Sequence, residues 1–122
     1  MKNQVLIVNC KSEEMKKTMI HLEENGIDVR RAADAESALF MISILHPPVV
    51  IVDTKLPRMN SLTFVQMLKN DEGNKNLIVI AILDFKSMEY KKQKLSKVFD
   101  GLISRTSSSA NLFSNIKKFL KA

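Results

Sequence analysis

Three stretches of this chain are apolar without interruption: Val5-Leu6-Ile7-Val8, Val49-Val50-Ile51-Val52, and the run from Leu77 to Leu83. Successive side chains of a strand point to opposite faces, so a strand with one wet face alternates apolar and polar residues. These runs do not alternate. As strands they must be covered on both sides, which is the condition of a parallel sheet held between two layers of helices. Two weaker runs, Ile27-Asp28-Val29-Arg30-Arg31-Ala32-Ala33 and Gly101-Leu102-Ile103-Ser104, complete a set of five predicted strands.

Helical patterns fill the gaps. Ser12-Glu13-Glu14 predicts a helix start, with acids in the first turn favoured by the helix dipole, and Asn25-Gly26 predicts its end. Met15, Met19 and Leu22 lie between them at helical spacing. Asp34 predicts the cap of a second helix with Ala38, Leu39, Ile42 and Leu45 inward, and His46-Pro47-Pro48 stops it. Asn60 or Ser61 opens a third helix carrying Leu62, Val65 and Leu68, and Asp71-Glu72-Gly73-Asn74 is a loop. A lysine-rich helix is expected near 87–97, and a last one from about Ser109 with Leu112, Phe113, Ile116, Phe119 and Leu120 on one face. Strand and helix alternate throughout, and right-handed crossovers make the fold α/β with a doubly wound sheet. A single domain over 1–122 is expected, and the chain is long enough for a core without staples.

Composition removes several functions. The only cysteine, Cys10, excludes a disulfide framework and a cysteine metal cluster. The apolar runs are too short to span a bilayer. The N-terminal run reads as a strand, not a signal peptide, so no membrane is expected and the cytoplasm is the default location. Neither GxGxxG nor GxxxxGK[ST] occurs, and the three glycines leave no phosphate-cradling loop. There is no GxSxG elbow, and His21 and His46 fall in a helix and at a proline turn, so no hydrolase triad is expected. The net charge of +6 admits an acidic partner, nucleic acid included. Against nucleic acid stands the lack of a stacking pattern. Tyr90 is the single tyrosine, tryptophan is absent, and Phe40, Phe113 and Phe119 are expected on core faces.

One residue resists this reading. The run Val49–Val52 leads directly into Asp53, a charge that cannot be buried without a partner. Doubly wound sheets take ligands at the carboxyl ends of their strands, where the strand order reverses. Asp53 is at such an end, so it is expected in a crevice and not in the core.

The segment IVDTKLPRMNS after the third strand resembles the receiver domain of two-component response regulators. VRRAADAESALFMI resembles the second strand and helix of that family, and DGLISR its fifth strand; the likeness spans essentially the whole chain. The resemblance implies a flavodoxin-like (βα)5 sheet of strand order 2-1-3-4-5. It also implies signalling by phosphoryl transfer from a histidine kinase to an aspartate, with no classical enzyme activity. In the family an acidic pair after the first strand and the acceptor aspartate hold Mg²⁺, while a Ser/Thr and a Lys grip the phosphoryl oxygens, because a carboxylate must approach a dianion.

Carried over residue by residue, Asp53 matches the phosphoacceptor and is a weak candidate Mg²⁺ ligand, beside which Asn9 offers only a neutral amide oxygen. The acidic pair falls on Asn9 and Cys10, and the hydroxyl position on Leu83, or on Ile82 with a one-residue slip. The lysine falls on Arg105, the proline after it on Thr106, the usual glycine on Ser61, and the switching aromatic on Leu102. A thiol is a poor ligand for Mg²⁺. Each lost carboxylate removes about 4 kcal/mol of charge attraction at ~4 Å and an effective dielectric of ~20. A loss of ~3 kcal/mol from the transition state slows phosphorylation about a hundredfold.

The expectation is therefore a degenerate receiver: a phosphorylation-independent interaction module with no cofactor, Mg²⁺ entering only if Asp53 is phosphorylated after all. Arg105 either pairs with Asp53 or points to solvent, Asp84 is a replacement acid or a helix cap, and Cys10 is a small buried residue or a reactive thiol. Expected partners are signalling proteins, a histidine kinase or an output protein. A homodimer through the fourth helix, fifth strand and fifth helix is a further expectation, over a face carrying Lys91, Lys92, Lys94, Lys97, Leu102, Lys117, Lys118 and Lys121.

Overall fold

The computed structural model describes residues 3–83 and 92–120, with side chains of the second segment described from Leu95 onward. The strands are β1 (Gln4–Val8), β2 (Asp28–Ala32), β3 (Val49–Asp53), β4 (Ile78–Leu83) and β5 (Gly101–Ser104). The helices are α1 (Glu13–Glu24), α2 (Ala35–Leu45), α3 (Ser61–Asn70), α4 (Lys92–Val98) and α5 (Ser109–Lys117), with a short 3-10 turn at Glu72–Asn74. All strand pairs are parallel, in the order β2-β1-β3-β4-β5. This is the doubly wound order implied by the resemblance.

The unbroken apolar runs are sorted by the pleat onto two faces. Leu6, Val8, Val50, Val52, Val79, Ala81 and Leu83 face a core closed by α2, α3 and α4 through Ala38, Ile42, Phe64, Leu68 and Leu95. Val5, Ile7, Val49, Ile51, Ile80, Ile82 and Ile103 face the other core, closed by α1 and α5 through Met15, Met19, Leu22, Leu112 and Ile116. Each such side chain contributes about 1.5–3 kcal/mol on burial, so the register is strongly fixed. β2 is the exception that its sequence announces. It is an edge strand, and Arg30 and Arg31 are exposed.

Caps form where the sequence places them. Ser12, Asp34, Asn60 and Ser108 each accept a hydrogen bond from a backbone N–H in the first turn of the helix that follows. On Asp34 the bond from the Ser37 N–H, the largest influence, holds the carboxyl below its ordinary range. His46 ends α2 in the left-handed region, with φ of 49°.

Two expectations require correction. Phe40 is not a core residue: it is 67% exposed on the outer side of α2, beside Ile44 at the next turn. The inward stripe of α2 is Ala35, Ala38 and Ile42, with Leu39 only partly buried, so the stripe is one residue out of phase with Phe40. The last helix ends at Lys117, so Phe119 and Leu120 lie just beyond it while still packing on the core. The predicted lysine-rich helix is described over Lys92–Val98, while its earlier part lies outside the described residues, as do Asp84, Tyr90, Lys91, Lys121 and the side chains of Lys92 and Lys94.

Candidate functional site

β1 and β3 are neighbours at the point where the strand order reverses, and their carboxyl ends open one crevice. Register carries Asp53 to the rim opposite Ile82. The chain leaves β3 without breaking the ladder, because the Thr54 N–H donates to Ile82 O at 2.9 Å. After β1 it turns sharply: Asn9 has φ of 55°, a conformation asparagine tolerates better than most residues. The same turn aims the Asn9 amide at the neighbouring loop, where Nδ2 donates to Lys55 O at 2.8 Å.

Arg105, one residue past β5, closes the crevice from the opposite side. Its Nη2 donates to Asp53 Oδ1 at 2.6 Å and its Nε to Asp53 Oδ2 at 3.1 Å. The pair is bidentate, the geometry in which guanidinium and carboxylate bind best. Nη2 also lies 3.4 Å from Thr54 Oγ1, and the Lys55 N–H donates to Asp53 Oδ1 at 2.9 Å. Both carboxylate oxygens are thus occupied, one of them twice. The side chains are mostly shielded, at 13% exposed for Asp53 and 22% for Arg105.

Cys10 lies beside the pair, its Sγ 3.4 Å from Val8 O. Burial, and after it the negative charge of Asp53, push its thiol up to about 12 from an ordinary 9.0. It is a neutral, hydrogen-bonded thiol and not an activated one.

Asn9, Cys10, Asp53 and Arg105 line a cavity of about 380 Å³, together with Lys11, Ser12 and Lys55. Leu83 does not join them. Its side chain is fully buried in the α2/α3/α4 core, and the cavity wall at the end of β4 is Ile82. The pleat is the reason: Asp53 and Ile82 are register partners, and the next residue of β4 points to the other face. On the proposed interaction face Leu102 is half-buried against the core. Lys97, Lys117 and Lys118 are exposed, and Lys117 Nζ sits 5.8 Å over the Phe113 ring.

Sequence reasoning missed Lys11, Thr54 and Lys55. The last two follow Asp53 directly, so their signal was adjacency to a strand end; Lys11 comes three residues after the end of β1. It also read Glu14 only as a first-turn acid. In the structure Glu14 Oε2 accepts the Ser109 N–H at 2.7 Å and so caps α5 from α1. Among the described residues no group of three or more His, Cys, Asp or Glu is arranged to hold a metal ion. Nor is any helix there long and apolar enough to cross a membrane.

The fold and this rim can be set beside known proteins. The chain superposes on the chemotaxis response regulator CheY4 of Vibrio cholerae with a TM-score of 0.83 at 22% identity, covering 98% of this chain and all of that one. A Francisella response regulator receiver domain gives 0.79 at 24% identity over 97% of this chain and 96% of that one. In sequence, the polar-differentiation response regulator DivK of Brucella ovis is 26% identical over 120 residues, 98% of each protein. The phosphate regulon regulator PhoB of Klebsiella pneumoniae is 23% identical over 121 residues, 99% of this chain but 53% of that protein. The sequence profile of the response regulator receiver domain matches residues 5–117, and the chain belongs to that family.

Proposed function

We propose that this receiver domain signals without being phosphorylated, as a protein-interaction module whose conformation is held by the Asp53–Arg105 pair. Response regulators act in two-component signalling with histidine kinases and output partners, and receiver domains are signalling modules that typically bind Mg²⁺ at the phosphorylation site. Three features of the crevice support a departure from that chemistry here.

First, both Asp53 oxygens are engaged by Arg105 and one of them also by the Lys55 N–H, so an attacking oxygen must first leave the guanidinium. Second, the donor set does not suit Mg²⁺, which needs hard oxygen ligands in octahedral array. It consists of one engaged carboxylate, an amide whose nitrogen is committed to Lys55, and a protonated thiol. An incoming dication would also meet Lys11, Lys55 and Arg105 around the same cavity. Third, Ile82 on the wall has no hydroxyl to grip a phosphoryl oxygen. The bidentate pair is the observation that carries the reading: the guanidinium supplies permanently the positive charge that a metal would supply on demand.

The surface of α4, β5 and α5 suits an acidic partner protein, through exposed Lys97, Lys117 and Lys118. A homodimer over the same face is the alternative occupant, checked by mass in solution.

The test is intact mass after incubation with a small phosphodonor and Mg²⁺. The expected result is no phosphoryl adduct on the wild type, and a stoichiometric adduct on the variant carrying Asn9→Asp, Cys10→Asp and Arg105→Lys. A wild-type adduct that disappears in Asp53→Asn would establish a working receiver and end the proposal.

A further inference from the structure

The crevice does not stop at Asp53. A second cavity of about 470 Å³ adjoins the first and shares Asn9, Cys10 and Lys11 with it. Its floor is apolar, from Ile7, Met19 and Ala32, and its rim carries Lys11, Lys16 and Arg31. Among the described residues that line the two cavities, five cations, Lys11, Lys16, Arg31, Lys55 and Arg105, face one acid, Asp53.

Two of those cations are committed. Arg105 holds Asp53, and Lys16 meets Glu13 in an exposed pair at 3.2 Å. Lys11, Arg31 and Lys55 have no carboxylate within ion-pair distance among the described residues. Unpaired cations converging on a concave surface raise the local concentration of anions. The combined size is that of a small-molecule site, and an apolar floor with a few charged groups at its edge is the usual composition of one.

We infer that this double cavity binds a small phosphorylated molecule with a flat apolar body, of nucleoside monophosphate size, without a metal. The phosphate dianion lies at Lys11, the cation common to both cavities, with Arg31 on one side and Lys55 on the other. The apolar body lies on Ile7, Met19 and Ala32. No bond is made or broken. The outer cavity does not include Asp53, so nucleotide binding and phosphorylation of Asp53 are read out separately.

Calorimetric titration in low salt, without divalent ions, tests it with AMP, GMP, their parent nucleosides and inorganic phosphate. The nucleotides are expected to saturate a single site. The nucleosides and inorganic phosphate should each bind at least about tenfold more weakly, since each lacks one half of the contact. Lys11→Glu and Arg31→Glu, both at exposed positions, should each weaken AMP and GMP about tenfold or more by reversing a charge at the phosphate. Asp53→Asn should retain binding. No saturable binding up to about 10 mM overturns the inference. So does binding indifferent to both reversals, or nucleoside binding equal to that of the nucleotide. Inorganic phosphate binding as tightly as AMP overturns the assigned ligand class.

Discussion

Removing Arg105 measures how much of the crevice depends on one ion pair. At the observed bidentate geometry the two charges sit ~4 Å apart, and an effective dielectric of ~20 gives about 4 kcal/mol of gross attraction. Part of that is offset by desolvation of both groups. Their side chains, 13% and 22% exposed, lie between a surface pair worth under ~1 kcal/mol and a buried one whose breakage costs ~3–5 kcal/mol. A coupling of about 2 kcal/mol is expected. Arg105→Ala should therefore lower stability by about 2 kcal/mol, and the midpoint of thermal unfolding by about 6–10 °C for a chain of this size. Asp53→Ala should cost less, because Arg105 can extend its longer side chain to solvent while Asp53 cannot leave the rim. The double variant should cost well under the sum of the two. Urea denaturation followed by circular dichroism supplies the four free energies. A coupling under ~0.5 kcal/mol would refute the reasoning, since the pair would then be a surface contact unable to hold the crevice in one state.

Three further outcomes follow from the same structure. Cys10 should react with iodoacetamide at pH 8 about 30-fold more slowly than a free thiol, the scarcity of thiolate outweighing its higher nucleophilicity. The rate should climb until about pH 12 and rise in Asp53→Asn, which removes a charge opposing the thiolate. The sign for stability follows: the unfolded thiol ionises from pH 9.0 while the folded one holds its proton to about 12, so folding weakens across that window. Gly101→Ala would set a Cβ 2.6 Å from the Phe119 Cζ. The ring must swing away at a cost of about 1–2 kcal/mol by urea denaturation, and Phe119→Ala in the same chain should remove the penalty for Gly101→Ala. Glu14→Ala removes the acceptor for the Ser109 N–H and should cost about 1 kcal/mol, with amide exchange rising first at the start of α5.

The sheet was legible because burial on both faces leaves no other reading for Val49–Val52 or Leu77–Leu83, and the caps were legible because Ser12, Asp34 and Asn60 stand directly before helical patterns. Phe40 was misread for a reason of scale. On α2 nearly every residue from Ala38 to Leu45 is apolar, so the helical period alone does not say which third of the surface faces inward, and only the packing against β1 and β2 decides it. Leu83 shows the complementary limit. Alignment places a residue along a strand, but the pleat decides the face, and a shift of one residue exchanges Leu83 in the core for Ile82 in the cavity. Lys11 and Lys55 escaped notice because closeness to a strand end is a weak signal in a surface lysine until the fold places it at a concave edge.

The departures around Asp53 are physically consistent with one another. With two carboxylates at positions 9 and 10, three acids would crowd the rim, and only a divalent cation would let all three stay ionised. With Asn9 and a protonated Cys10 the crevice holds a single negative charge among the described residues, and Arg105 pairs with it. With Arg105 on Asp53, Lys11 and Lys55 have no carboxylate within ion-pair distance among the described residues, and on the two proposals above the crevice would repel a dication and attract a dianion. That preference ties the two proposals to the same residues and separates them in experiment. Restoring acids at 9 and 10 together with Arg105→Lys should bring back phosphorylation and weaken nucleotide binding, because the same added charge that seats a metal opposes a phosphate held by Lys11.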